Sequence, residues 1–435
     1  MPVGTRRVGT LVDFDPTTPH GAAVLERSDE KITLTVIWHD FKSPYAGWFG
    51  HGPGPNGSVQ RSLGTRIPRV LLFQDPNGSV LLVGCRNAGF TTDMFGPGAG
   101  TINAEYAVLG VRENCDFSSA KGVESEISGL REWLRVSSVG LRIDSDGGTG
   151  REVVTLESAP LIEVGGSFGL AFRPAARVSS RGSSDEWKIH DQVFCLTTSS
   201  TRTSVEEHLR HHRAVRDLLV IARWWPEVCL LRRAAHPGAP LRSIDGDEHG
   251  PEWFDIVVSP ERPPERPRQY REDLIRFDEI GVEGILRWLR LRDEFARALG
   301  PVVATRDLDV NFPATYLAQV GPGLEALGYL LLRRDGVSRN EAKNTDLRPR
   351  LERVLTAVGD AAPVNPQTWA QATAAAYNGV KHANRRLPNV LDVLNTWRES
   401  VLVVRAWVAL ELGVAPADVK RRLKQDPQAH PWVSA

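Results

Sequence analysis

The residues with the most chemical content lie between Gln371 and Pro388, in the stretch QATAAAYNGVKHANRRLP. His382 follows Asn378 by four residues, and Lys381 follows Tyr377 by four. On a helix these i,i+4 pairs place all four side chains on one flank. From Ala361 to Leu391 no Asp or Glu occurs, while Lys381, Arg385 and Arg386 add positive charge. An imidazole, an amide and a cation converging in an acid-free stretch suit a ligand bearing phosphate. The imidazole moves a proton and the cations stabilise oxyanions. An ordinary helix end, its cations set against the negative end of the dipole, accounts for the same spacing without chemistry.

The element that must position these groups reads as a helix. Asn365 followed by Pro366 is an N-cap with proline at the first helical position. Trp369, Thr373, Ala376 and Val380 then form one apolar stripe that can face a core. Two further polar residues stand in apolar surroundings: Glu325 in GLEALGYLLL and Arg405 in VLVVRAWVALEL. A buried carboxylate is costly unless paired, so Arg405 is the expected partner of Glu325. The pair is expected to support the site from behind or to fix helix register, not to contact substrate.

His208, His211 and His212 in EEHLRHHR offer a different chemistry, since 208 and 212 are spaced to chelate zinc. No HExxH order and no third ligand accompany them, so the expectation is the solvated face of an ordinary helix, with no metal and no cofactor. Trp224-Trp225 just beyond reads as core or interface. The FGHGPGPNG stretch lacks the Lys-Ser/Thr of a phosphate-binding P-loop.

Composition bounds the remaining possibilities. The chain has 435 residues, 41% hydrophobic and 24% charged, enough apolar content for a sizeable core and for two or three domains. Lys+Arg and Asp+Glu are both 53, so no global field points at nucleic acid and such binding needs a local patch. Cys85, Cys115, Cys195 and Cys229 show no CxxC spacing. The N-terminus has no apolar leader and no stretch approaches a membrane span, so a cytoplasmic location without membrane contact is expected.

Taken in order, the chain reads as α+β. Residues 1–200 are expected to be β-rich, with runs at Val8–Phe14, Ile32–Trp38, Val70–Phe73, Ser79–Val83, Tyr106–Val111, Glu152–Leu156, Gly169–Phe172 and Trp187–Leu196. Asp75-Pro76-Asn77-Gly78 is the clearest hairpin turn. A short helix is expected from Ser118 to Arg135, and loops at Gly47–Gly57 and Ala175–Asp185. Ser204-Val205-Glu206-Glu207 is a capping box that opens a helix and a connecting region, 201–306, with an irregular proline-rich segment at Pro237–Pro267. Helices are expected at Tyr270–Leu299, Leu324–Arg334 opened by Pro322 and closed by Gly336, Leu347–Val358, and Val390–Leu412 ended by Gly413. Residues 307–435 would then form a helical bundle.

Two parts of the chain resemble one family. The opening GTL, the run near Ile32–Trp38, the hairpin VLLFQDPNGSVLLVGC and the segment YAVLGVRENCDF leading to Trp133 are similar to the ApeA N-terminal domain. From about Asp307, the helical part resembles the HEPN-type domain that follows it in ApeA-like proteins, with YNGVKH in the motif position. The resemblance implies an anti-phage, abortive-infection protein whose HEPN domain cuts RNA, transfer RNA included, without a metal. It implies a phage component as trigger and a homodimer through the helical domain. His382 matches the motif histidine, Asn378 the polar position beside it, and Lys381 a phosphate contact. The family motif places an arginine, then four to six intervening residues, then the histidine, yet here the arginine window holds Ala375, Ala376 and Tyr377. Tyr377 stands where the cation belongs, so Lys381, Arg385, Arg386 or a partner chain must substitute, or the pocket binds RNA or nucleotide without cutting it. A histidine and a lysine on one basic flank are more than binding alone requires, which favours the ribonuclease.

Overall fold

The computed structural model describes all residues except 16–17, 40–42, 54–58, 62–66, 93–96, 112–116, 118, 147–148, 181–186, 261–271, 309–311 and 434–435. Cys115, Tyr270 and parts of the expected loops lie outside the described residues.

The N-terminal part is one 14-stranded sheet. Reading across it, the strands begin at Ile162, Leu170, Trp187, Ser119, Cys229, Glu248, Tyr106, Gly78, Val70, Arg6, Gly21, Ile32, Gly98 and Arg86. The pairings are antiparallel among the described residues. The Asn77-Gly78 turn closes the hairpin of Val70–Asp75 with Gly78–Val83, in the register the two apolar runs dictate.

Four expectations fail here, each because another strand, distant for the first and adjacent in the chain for the rest, supplies the backbone partners. Residues 119–127 form a central strand between Trp187–Ser204 and Cys229–Arg242, and helix remains only at Leu130–Leu134. The proline-rich stretch is largely ordered: Cys229–Arg242 pairs with Glu248–Val258, and Pro240 lies opposite Pro251, where the register shifts. The strand Leu170–Ser180 runs into the segment expected as a loop. Within Gly47–Gly57, His51–Pro53 pairs with Val59–Arg61.

The helices are α1 Pro44–Trp48, α2 Leu130–Leu134, α3 Val205–Arg223, α4 Phe277–Glu294, α5 Ala296–Ala304 and α6 Ala314–Arg334. They continue as α7 Arg339–Asn344, α8 Leu347–Val358, α9 Trp369–Lys381, α10 Val390–Glu411 and α11 Pro416–Lys424. The capping box is present: Ser204 accepts from the Glu207 amide, and the Glu207 carboxylate accepts from the Ser204 amide. The architecture is α+β, with a large antiparallel sheet followed by helices. Pro322 lies inside α6 rather than at its start, on an exposed face, while Leu317, Val320, Leu324 and Leu327 bury the opposite side. That burial offsets the roughly 3 kcal/mol cost of an interior proline. The helix expected over 270–299 is broken at Phe295 into α4 and α5. Three short helices, α1, α7 and α11, are not among the expected elements.

One buried cluster joins the strands around Val193 and Cys195, helix α3 and the helices α4 to α6 and α8 to α11. Helix α3 is the shared wall, its Leu218, Leu219, Val220 and Ile221 fully buried. Arg405 on α10 reaches that wall: its Nε donates to the Ile221 carbonyl at 2.9 Å, and its Nη1 pairs with Asp426 at 2.6 Å. No helix among the described residues is long and apolar enough to cross a membrane.

Candidate functional site

The apolar stripe of α9 is buried as its spacing requires, with Trp369, Thr373 and Ala376 inside and Val380 half-buried. The helix begins at Trp369, three residues later than Pro366, because Asn365 organises a preceding turn. Its side chain accepts from the Gln367 amide at 3.0 Å, and its carbonyl accepts from the Trp369 amide at 2.9 Å. Lys381 is the last helical residue and His382 the C-cap, with extended backbone (φ −119°, ψ 117°). The His382 amide still donates to the Asn378 carbonyl at 3.0 Å, and the Arg385 amide to the His382 carbonyl at 3.0 Å. The chain then doubles back. A Cβ on Gly379 would stand 2.5 Å from the Arg386 carbonyl, so glycine lets the basic loop lie on the helix end. His382, Arg385 and Arg386 are exposed, and Asn378 is half-buried. Among the described residues no hydrogen bond or ion pair is seen for the side chains of these four.

Tyr377 is placed differently from the other site residues. Its side chain is buried beside Leu317 and Val393, and its ring fills the space a Cβ on Gly321 would occupy, 2.1 Å away. Burial, and then the Glu325 carboxylate, push its phenol above the usual range. Its ring face lies 5.5 Å from the Lys381 ammonium.

Glu325 is not buried and does not meet Arg405. It is half-exposed, and its partners are Arg350 Nη1 at 3.2 Å and Lys381 Nζ at 3.6 Å. The expectation failed because a helical period alone does not say which helix a polar residue faces. Arg350, which the sequence did not single out, is buried and donates to the carbonyls of Ala342 at 3.0 Å and Lys343 at 2.8 Å.

The histidines of α3 are not on a solvated face. His208 and His212 are fully buried between helix and sheet. Thr197 Oγ1 bridges them at 2.9 Å and 2.8 Å, His208 Nε2 faces the Ala120 carbonyl at 3.2 Å, and His212 Nδ1 meets Ser125 Oγ at 2.7 Å. Burial lowers the His208 value and brings His212 down to about 3, so both are neutral imidazoles satisfied by oxygen. Among the described residues no cluster of His, Cys, Asp and Glu is arranged for a metal. Trp224 is core, with the Arg405 guanidinium 5.5 Å over its ring.

A cleft of about 460 Å³ lies between the first turns of α3 and strand ends at Val70, Val83, Tyr106 and Cys229. Of its charged lining residues, Arg213 pairs with Glu206, and Glu105 pairs with Arg86 outside the cleft. Burial pushes the Cys229 thiol up to about 11, which leaves no thiolate nucleophile there.

Compared with known protein families, residues 13–226 match the model described as ApeA N-terminal domain 1. The match begins just after the first strand, Arg6–Val12, and ends just past α3. The strands Cys229–Arg242 and Glu248–Val258, which complete the sheet, and the helix carrying His382 lie beyond it. Neither a curated protein nor a solved structure matches the chain.

Proposed function

From the premise that this chain is an ApeA-like protein, carried by residues 13–226, we propose that it acts in anti-phage defence of the abortive-infection type. In this reading its C-terminal helices form a HEPN-like, metal-independent endoribonuclease. The observation that carries the reading is the exposed His382 at the end of α9, with Lys381 before it and the Arg385–Arg386 loop folded back on Gly379.

The chemistry follows from those groups. An RNA 2′-oxygen attacks the adjacent phosphorus, its proton passes to a base, and the bond to the 5′-oxygen breaks as that oxygen gains a proton. An imidazole can perform either proton transfer, and a nearby ammonium or guanidinium stabilises the charge on the crowded phosphate. His382 is the acid or base, Asn378 the polar neighbour, and Lys381, Arg385 and Arg386 the phosphate contacts. Tyr377 supports Lys381 from below rather than touching RNA. A homodimer through the helical domain brings a second basic loop to the site, and the sheet senses the phage component.

One observation favours a second reading, an RNA- or nucleotide-binding module without catalysis. The position that carries arginine in the family motif holds Tyr377, which is buried against Gly321. The deciding experiment compares wild type with His382→Ala in a host challenged with a panel of phages, recording total RNA integrity. Protection and RNA cleavage both lost in the variant is the expected result. Protection retained by the variant, or no RNA cut by wild type, moves the protein to the binding class.

A further inference from the structure

Helix α6 presents Gly321, Glu325 and Gly328 at i, i+4 and i+7, so one face carries two notches with a carboxylate between them. Each notch admits a neighbour. A Cβ on Gly321 would stand 2.1 Å from the Tyr377 ring of α9, and one on Gly328 would stand 2.5 Å from the Arg350 Cβ of α8. The close approach of both helices brings one cation to each oxygen of Glu325: Arg350 to Oε1 at 3.2 Å and Lys381 to Oε2 at 3.6 Å.

We propose that Glu325 and Arg350 are positioning residues that fix Lys381 as the phosphate-facing cation of the His382 site, in place of an arginine on α9. The proposal rests on the reading of that site as RNA-cleaving. An ordinary surface ion pair would hold a lysine weakly, because both side chains lose freedom on pairing. Here the carboxylate is already immobilised. Arg350 is buried and tied to the Ala342 and Lys343 carbonyls, and the Tyr377 ring gives the ammonium a second fixed surface at 5.5 Å. Charge balance explains the need for Arg350. Glu325 alone would neutralise Lys381, whereas a carboxylate shared with a guanidinium leaves the group with a net positive charge. At 3.6 Å the lysine contact is an ion pair without a hydrogen bond, so the ammonium protons are free for phosphate oxygens.

The test uses the full chain with a single-stranded RNA oligonucleotide and the variants Glu325→Gln, Glu325→Asp, Lys381→Met and Glu325→Gln with Lys381→Met. Thermal unfolding serves as the check on folding. Glu325→Gln is expected to lower kcat on the order of tenfold to a hundredfold with KM little changed, since the cation is misplaced rather than removed. Glu325→Asp recovers part of that loss. The double variant is no slower than Lys381→Met alone, because both changes disable one unit. Independent, multiplying losses, or an unchanged kcat in Glu325→Gln, overturn the bracket while leaving the ribonuclease reading in place. A wild type that binds and cuts no RNA overturns the underlying reading, and the bracket with it.

Discussion

Thr197 Oγ1 stands 2.8 Å from His212 Nε2, and the proton between them belongs to the imidazole. The direction is set from the far end of the network. The Ala120 carbonyl can only accept, so His208 donates from Nε2 and accepts at Nδ1 from the threonine hydroxyl. That hydroxyl, having spent its proton, accepts from His212 Nε2, and His212 Nδ1 accepts from Ser125. Thr197→Val keeps the shape but leaves a buried donor and a buried acceptor without partners. The expected loss is on the order of 3 kcal/mol, read as a shift of the urea midpoint with the m-value unchanged. A shift below a few tenths of a kcal/mol would show that the network contributes no net stability.

The same histidines give stability a pH dependence of definite sign. Burial, then the neighbouring His208 and His211, bring His212 from its ordinary 6.5 down to about 3. Between those values the unfolded chain binds more protons, so this contribution is complete above 6.5 and is lost as pH falls towards 3. Glu227, pushed up from 4.5 to about 7 by burial, acts in the opposite sense between 4.5 and 7. The two oppose each other down to pH 4.5, below which His212 is unopposed by Glu227. Urea unfolding at a series of pH values is expected to show the steeper acid limb below pH 4.5. A free energy independent of pH between 4.5 and 3 would contradict the assignment.

The Gly321 notch makes a sharper packing prediction. Gly321→Ala gains roughly 1 kcal/mol of helix propensity but drives a methyl into the Tyr377 ring. Overpacking costs about 1–3 kcal/mol, so a net loss of stability is expected, together with weaker RNA cleavage as the ring under Lys381 moves. Thermal unfolding and single-turnover cleavage read the two effects. A stabilised variant would mean that α6 and α9 separate without penalty.

Arg405 should matter to folding and not to RNA contact. Arg405→Met strands the Asp426 carboxylate and the Ile221 carbonyl, at an expected cost of about 3–5 kcal/mol. The loss appears in chemical denaturation. RNA affinity of the fraction still folded is expected to match wild type, and a specific loss of affinity would return Arg405 to the site.

Lys381→Ala is expected to weaken binding of single-stranded RNA and to flatten the salt dependence of log K by about 0.7, one phosphate contact. An unchanged slope would leave the phosphate to Arg385 and Arg386.

The sequence by itself determined the elements whose signals are local. The Ser204 capping box, the Asn-Gly hairpin, the apolar stripe of α9 and the span of α8 all form as their residues dictate, because capping, turn geometry and helical period involve residues close in the chain. It also singled out His382, Lys381 and Glu325 by residue type. Only the tertiary structure decided what those residues meet. Ser119–Ile127 became a strand, against the expected helix, because two strands far along the chain, Trp187–Ser204 and Cys229–Arg242, offered backbone hydrogen bonds on both sides. Glu325 found Arg350 and Lys381 rather than Arg405 because two glycine notches on α6 let α8 and α9 come close. The α3 histidines went inward because the sheet laid Thr197, Ser125 and the Ala120 carbonyl beneath them. In each case the deciding contact joins segments far apart in the chain, and its free energy depends on their meeting.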